Sequence, residues 1–143
     1  MPALVVAALL SGNAARADRE ATSAAIAVVV GRNSFVTAVS RDELRELYLR
    51  RQRIWPNGTR AIPINLPPDN PAREDFSKLV LGRSTRELVS YWNARYFEGI
   101  TPPVVLPSPA AIRVYLTNEP GAIAYVPVSE VDDTCRTLLE LER

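Results

Sequence analysis

An open α/β sheet, mixed but largely parallel and carrying helices on both faces, is the fold class this sequence predicts, and three observations lead to it. Residues 24–30 (AAIAVVV) form an unbroken Val-rich run closed by Gly31, the pattern of a strand buried on both sides of a sheet. Helix starts recur along the chain, each marked by capping residues: Ser40 with Glu43, Asn70 with Pro71, Ser84 with Glu87, and Ser108 with Pro109. Short apolar segments alternate with those helices in the order strand, helix, strand, helix, helix, strand, helix, strand, the succession that builds a sheet between helical layers.

Each element has its own local reason. After Ser40, the residues Leu44, Leu47 and Tyr48 recur at helical spacing, and Arg50, Arg51 and Arg53 follow where the negative end of a helix favours cations. That predicts a helix of about three turns. Residues 54–58 (IWPNG) read as a turn built on Asn57-Gly58, and residues 61–65 as a second strand. Residues 67–71 (PPDNP) are the most proline-dense stretch and end in an N-cap, Asn70, with Pro71 at the first helical position. Phe76, Leu79 and Val80 give that helix its apolar stripe, and Gly82 stops it.

Ser84 and Glu87 open a further helix bearing Leu88, Tyr91, Trp92 and Tyr96, aromatics expected in the core rather than around a ligand, and it ends before Gly99. A short strand follows at residues 104–106, then a helix from Ser108 whose buried face is Ile112, Tyr115 and Leu116. Residues 118–121 (NEPG) terminate it, residues 122–126 form a strand, and residues 138–141 form a last one. The chain contains no internal repeat and no low-complexity segment.

With 143 residues there is material for one domain and a substantial core without disulfides or metal. A composition of 47% hydrophobic and 23% charged residues excludes intrinsic disorder. Seventeen basic residues against 16 acidic ones leave no large net field, so nucleic acid is not an expected partner. The sequence has no histidine and one cysteine, which removes the commonest general base, the commonest metal ligand and any internal disulfide. Cys135 is expected to be buried and inert. The acidic pairs Glu74-Asp75 and Asp132-Asp133 read as solvated charge. No catalytic residues, metal site or cofactor are predicted, and the expectation is a binding protein, not an enzyme.

Residues 3–10 are an apolar run of signal-peptide length, too short for a bilayer span, and Ala15-Arg16-Ala17 supplies a small-x-small cleavage pattern. The expected organisation is a signal peptide over residues 1–17 and a domain over residues 18–143, periplasmic or secreted, with no insertion into the membrane after cleavage. Loss of Arg16 with the leader leaves 16 basic against 16 acidic residues.

Helix starts that follow loops, at Asn70 and Ser108, present backbone N–H groups and a positive dipole end, and Arg73 adds a cation in the first turn. At these same residues the sequence resembles a known family. Residues 44–76, from Leu-Arg-Glu-Leu-Tyr-Leu through Ile-Trp-Pro-Asn-Gly-Thr and Ile-Pro-Ile-Asn to Pro-Ala-Arg-Glu-Asp-Phe, are similar to the substrate-binding proteins of phosphate ABC transporters. Leu81-Gly82-Arg83-Ser84, Tyr91-Trp92-Asn93 and residues 120–126 (PGAIAYV) extend the resemblance across residues 26–128.

The resemblance implies a periplasmic-binding-protein-like fold reduced to a single lobe, which recognises phosphate or a similar small anion for an ABC transporter and works with a membrane permease. Alternatively, it implies an interaction or sensory module, facing a sensor protein, that has lost its ligand. It further implies ligand-binding residues Arg32, Asn33 and Ser34 after the first strand, with Asn65, Asn70 and Arg73 near the second. The chain also departs from the family, which caps its phosphate-holding helix with Ser-Gly-Thr where this chain has Asp69-Asn70-Pro71. Pro71 donates no N–H, and a carboxylate such as Asp69 at ~4 Å from an anion repels it by about 4 kcal/mol at an effective dielectric of ~20.

Overall fold

The computed structural model describes residues 25–142, so the leader expected over residues 1–17 lies outside the described residues. Strand β1 (Ile26–Gly31) is buried at all six positions, as its unbroken apolar sequence requires. Helix α1 (Arg41–Tyr48) starts where Ser40 accepts the N–H of Glu43 and runs for just over two turns, so Arg50, Arg51 and Arg53 lie beyond it. Strand β2 (Ile62–Asn65) follows the Asn57-Gly58 turn. Helix α2 (Pro71–Phe76) continues into a wider π-type turn, Ser77–Leu81, which Gly82 ends in the left-handed conformation.

Helix α3 (Leu88–Phe97) is preceded by the capping box read from sequence: Glu87 N–H donates to the Ser84 hydroxyl at 3.1 Å, and Ser84 N–H reaches Glu87 Oε1 at 3.4 Å. Strand β3 (Val104–Val105) is short and exposed. Helix α4 (Pro109–Asn118) is capped by Ser108 through Ala111 N–H. Strand β4 (Ala122–Pro127), a single turn of tight helix at Val128–Glu130, and strand β5 (Cys135–Leu141) complete the chain.

The five strands lie in the order β3-β2-β4-β1-β5. β2 is parallel to both β3 and β4, whereas β1 is antiparallel to β4 and to β5. Four strands therefore point one way and β1 alone runs against them, which makes the sheet mixed but largely parallel. Alternation along β4 puts Tyr125, together with its partner Val28, on one face and Ala124, with Val29, on the other. The aromatic rings of Tyr48 and Phe76 cover Tyr125, so α1 and α2 occupy the first face.

Helix α4 covers the second face and comes very close to it. A Cβ at Gly31 would sit 2.2 Å from the carbonyl oxygen of Leu116, so β1 must end in a residue without a side chain for the helix to seat. Gly121 answers a similar demand at the head of β4, where a Cβ would lie 2.4 Å from the Arg60 carbonyl. Its own carbonyl accepts both Ile62 N–H at 3.0 Å and the Trp55 indole N–H at 2.9 Å, which ties the Asn57-Gly58 turn to the sheet.

One aromatic assignment differs from the sequence expectation. Tyr91 and Trp92 pack against the core and meet each other edge-on at 4.9 Å, but Tyr96 is exposed at 69%, as is its neighbour Phe97 at 89%. Leu88 is the buried anchor of α3, and eight residues later the helix has turned about 80° away from it, so Tyr96 leaves the packed face. Cys135 is a free, buried thiol, in line with expectation. Among the described residues no helix is long and apolar enough to cross a membrane.

Gly31→Ala is expected to cost about 3 kcal/mol or to prevent folding, because the methyl group meets helix backbone that cannot swing aside. Urea unfolding followed by circular dichroism measures this directly, and a variant as stable as the parent would refute the close approach.

Candidate functional site

The reversed direction of β1 decides where the expected site residues fall. Because β1 runs against β4, its last residue lies beside the start of β4, while the last residues of the parallel β2 lie beside its far half. Arg32, Asn33 and Ser34 are thus at one end of the sheet, and Asn65, Asn70 and Arg73 are at the other. The six residues do not converge.

At the starting end of β4, the polar groups are used in the architecture. The Ser34 hydroxyl donates to Pro120 O at 2.7 Å and accepts Val36 N–H at 3.2 Å, while Ser34 O receives Arg136 at 2.8 Å. Arg32 donates to the carbonyl of Asp133 at 3.0 Å, and Asn33 is exposed. These contacts close the β1 turn onto the loop before β4 and onto β5.

At the finishing end, β2 and β4 pair only at Ile62 with Ala122 and Pro63 with Ile123, and then diverge. Two buried tyrosines fill the gap. Tyr48 donates to Ile64 O at 2.8 Å, with Ile123 O at 3.3 Å, and Tyr125 donates to Asn65 Oδ1 at 2.8 Å while accepting Leu66 N–H at 3.3 Å. Burial pushes both phenol pKa values above their ordinary range, so the hydroxyls stay protonated as these bonds require. Phe76 stacks on Tyr125 with centroids 4.0 Å apart and planes within 6°, which anchors α2 over the divergence.

Helix α2 begins here, and its first donors are already committed. Pro71 has no N–H, Ala72 N–H goes to Asn70 Oδ1 at 3.0 Å, and Arg73 N–H goes to Asn70 O at 3.0 Å. The Arg73 side chain donates to Leu66 O at 3.1 Å. Asn65, Arg73, Ser77, Thr85 and Trp92 line a cleft of about 30 Å³, room for a water molecule or two. Asp69 stands exposed just before the helix.

Sequence reasoning missed two contributors to this end. Glu74, read as solvated charge, accepts the Thr85 hydroxyl at 2.5 Å and Thr85 N–H at 3.2 Å, and it has Lys78 at 3.7 Å. The Thr85 hydroxyl, then its N–H, pull the Glu74 carboxyl pKa below the usual range. Tyr125 was legible only as a member of an apolar strand, although its place two residues from Ile123 marks the shared face. Asp132 is likewise more than solvated charge, since it pairs with Arg113 at 3.2 Å and accepts Thr134 N–H at 2.9 Å.

The fold matches an ABC-type phosphate transport receptor from Vibrio cholerae with a TM-score of 0.64 and 16% identity, over 80% of this chain and 46% of that one. It matches a phosphate ABC transporter substrate-binding protein with bound phosphate from Clostridium perfringens at 0.65 and 17% identity, over 80% and 45%. It also matches PstS from Borrelia burgdorferi at 0.59 and 12%, over 80% and 47%. The chain therefore has the α/β architecture found in part of these structures and spans less than half their length. No protein-family model matches the sequence, and neither does any curated protein.

Two outcomes test this end of the sheet. Tyr125→Phe leaves Leu66 N–H and Asn65 Oδ1 without their partner and should cost about 1–3 kcal/mol by denaturant unfolding. A depressed carboxylate pKa in the folded state stabilises above the unfolded value of about 4.3, and that contribution is lost as pH falls through the lower folded value. Glu74→Gln should therefore lower Tm relative to the parent at pH 7, with the difference closing as the pH drops below about 4.

Proposed function

We propose that this chain is an extracytoplasmic recognition lobe of the solute-binding-protein type, which meets a membrane partner such as a permease or a sensor and does not capture phosphate at the start of α2. The single observation that carries this reading is the state of that helix start. Pro71 lacks a donor, and the N–H groups of Ala72 and Arg73 both bond to Asn70. An anion gains most of its affinity at a helix N-terminus from free N–H groups, so this one has little to offer. The small cleft and the exposed carboxylate of Asp69 support the same conclusion. A receptor-like fold without histidine, and with its polar side chains tied into structural bonds, supports binding rather than catalysis.

Two observations favour a second reading. The Clostridium perfringens structure of the same fold contains phosphate, and Arg73 with Asn65 lines the cleft at the finishing end of β2. On that reading the lobe holds a small anion such as phosphate through side chains alone, for delivery to an ABC transporter.

Titration of the ¹⁵N-labelled protein with inorganic phosphate separates the two. The expected result is no saturable movement of the amides of Asn65, Leu66, Asn70 and Arg73 through millimolar phosphate. Saturable shifts there that disappear in Arg73→Ala would overturn the proposed reading in favour of the second.

A further inference from the structure

The opposite end of β2 carries an unusual concentration of positive charge. Helix α1 closes in a Schellman arrangement: Arg51 N–H bonds to Glu46 O at 2.9 Å and Arg50 N–H to Leu47 O at 3.1 Å. The residue this motif holds in the left-handed conformation is normally glycine or asparagine, yet here it is Arg50, with φ 61. Among the described residues it is the sole non-glycine with positive φ. The backbone thus accepts a disfavoured conformation at an arginine whose side chain lines a cleft.

That guanidinium lines a cleft of about 50 Å³ with Arg60, Pro63 and residues 101–104. The cleft exists because β3 starts pairing only at Ile64. Ile62 donates towards β4, so the next nitrogen, that of Pro63, faces the β3 side, where it has no hydrogen to leave unpaired. Arg50 Nε is buried with no hydrogen-bond partner, and Arg95 Nε, from the α3 side chain that reaches Arg50 O at 3.4 Å, is in the same condition. Nearby carboxylates are engaged elsewhere, Glu46 with Arg51 at 3.1 Å and Glu98 with Arg95 at 2.7 Å. Burial, then the like charges of Arg60 and Arg53, push the Arg50 pKa below its ordinary value.

We infer that the cleft between Arg50, Arg60 and residues 101–104 is a binding site for a small, multiply charged oxyanion of the phosphate or sulfate class. Guanidinium groups present planar forks of N–H donors matched to such oxygens, and a dianion would pair with Arg50 Nε while neutralising the mutual repulsion of Arg50, Arg53 and Arg60. The site lies at the end of the sheet opposite the start of α2, so it stands or falls independently of the reading proposed above.

The test follows the arginine Nε–Hε resonances of the full chain during titration with inorganic phosphate. The expected result is a saturable shift of the Arg50 Nε–Hε signal. Arg60→Ala, an exposed replacement that leaves the fold alone, should weaken the apparent affinity about tenfold, as loss of one charge-assisted pair implies. Arg50→Gly, which suits the left-handed backbone, should abolish the saturable shift of the Arg60 Nε–Hε signal across the same cleft, and Arg73→Ala should leave the Arg50 response unchanged. An Arg50 signal that does not move, or equal affinity in the parent and Arg60→Ala, would overturn the inference. Shifts confined to Asn65, Asn70 and Arg73 would instead overturn the reading of the α2 start.

Discussion

The parting of β2 and β4 is the constraint on which the rest of this structure depends. Two parallel strands that separate after two residue pairs expose amide and carbonyl groups in the interior, and leaving such groups unpaired costs about 1–3 kcal/mol each. Tyr48 and Tyr125 take those places, and each hydroxyl serves backbone groups that a continuing ladder would have satisfied. Their rings then dictate the layer above. Phe76 stacks on Tyr125 and lies 4.6 Å from Tyr48, so α2 can sit only where its last residue completes the aromatic cluster. The same bonds draw Asn65 into the interior network, which is why a residue well placed by sequence for ligand binding is occupied in holding strands apart.

The opposite face obeys a different rule. Gly31, Ala124 and Ala122 leave the sheet low beneath α4, and the helix backbone approaches β1 to a distance that admits no Cβ. One layer is therefore positioned by large interlocking rings and the other by the absence of side chains. Large residues suit the face where strands diverge and must be bridged. Small ones suit the face where β1 is paired on both sides, by β4 and by β5, and a helix can lie close.

Local chemistry was legible in the sequence to the extent that it is local. Ser40, Asn70, Ser84 and Ser108 all make the capping bonds their spacing implies, and β1 is buried throughout as its composition demands. What could not be read is set by distant partners. Nothing in residues 26–31 distinguishes a strand running with β4 from one running against it, yet that direction alone moves Arg32, Asn33 and Ser34 to the other end of the sheet from Asn65. Glu74 looks solvated until Thr85 is folded back over it, and β5 begins at Cys135, ahead of its apolar run, because β1 offers it a ladder. In α3 the sequence pattern places Tyr96 in the core, but the residue seven beyond Leu88, which returns to the packed face, is Arg95.

Arg95 also shows why the two ends of the sheet differ in chemical character. At the finishing end every polar side chain on the packed face has a geometric duty, with Glu74 and Arg73 both turned onto neighbouring backbone. At the starting end Arg32 bonds to Asp133 O and Arg136 to Ser34 O, while Arg95 divides its donors between the Glu98 carboxylate and Arg50 O. A guanidinium that meets only neutral carbonyls keeps its whole charge, and Arg50 adds to this the disfavoured backbone and the buried Nε. Local violations of this kind persist in folded proteins where something other than stability selects them, which makes the starting end, and not the start of α2, the part of this fold whose chemistry is left open.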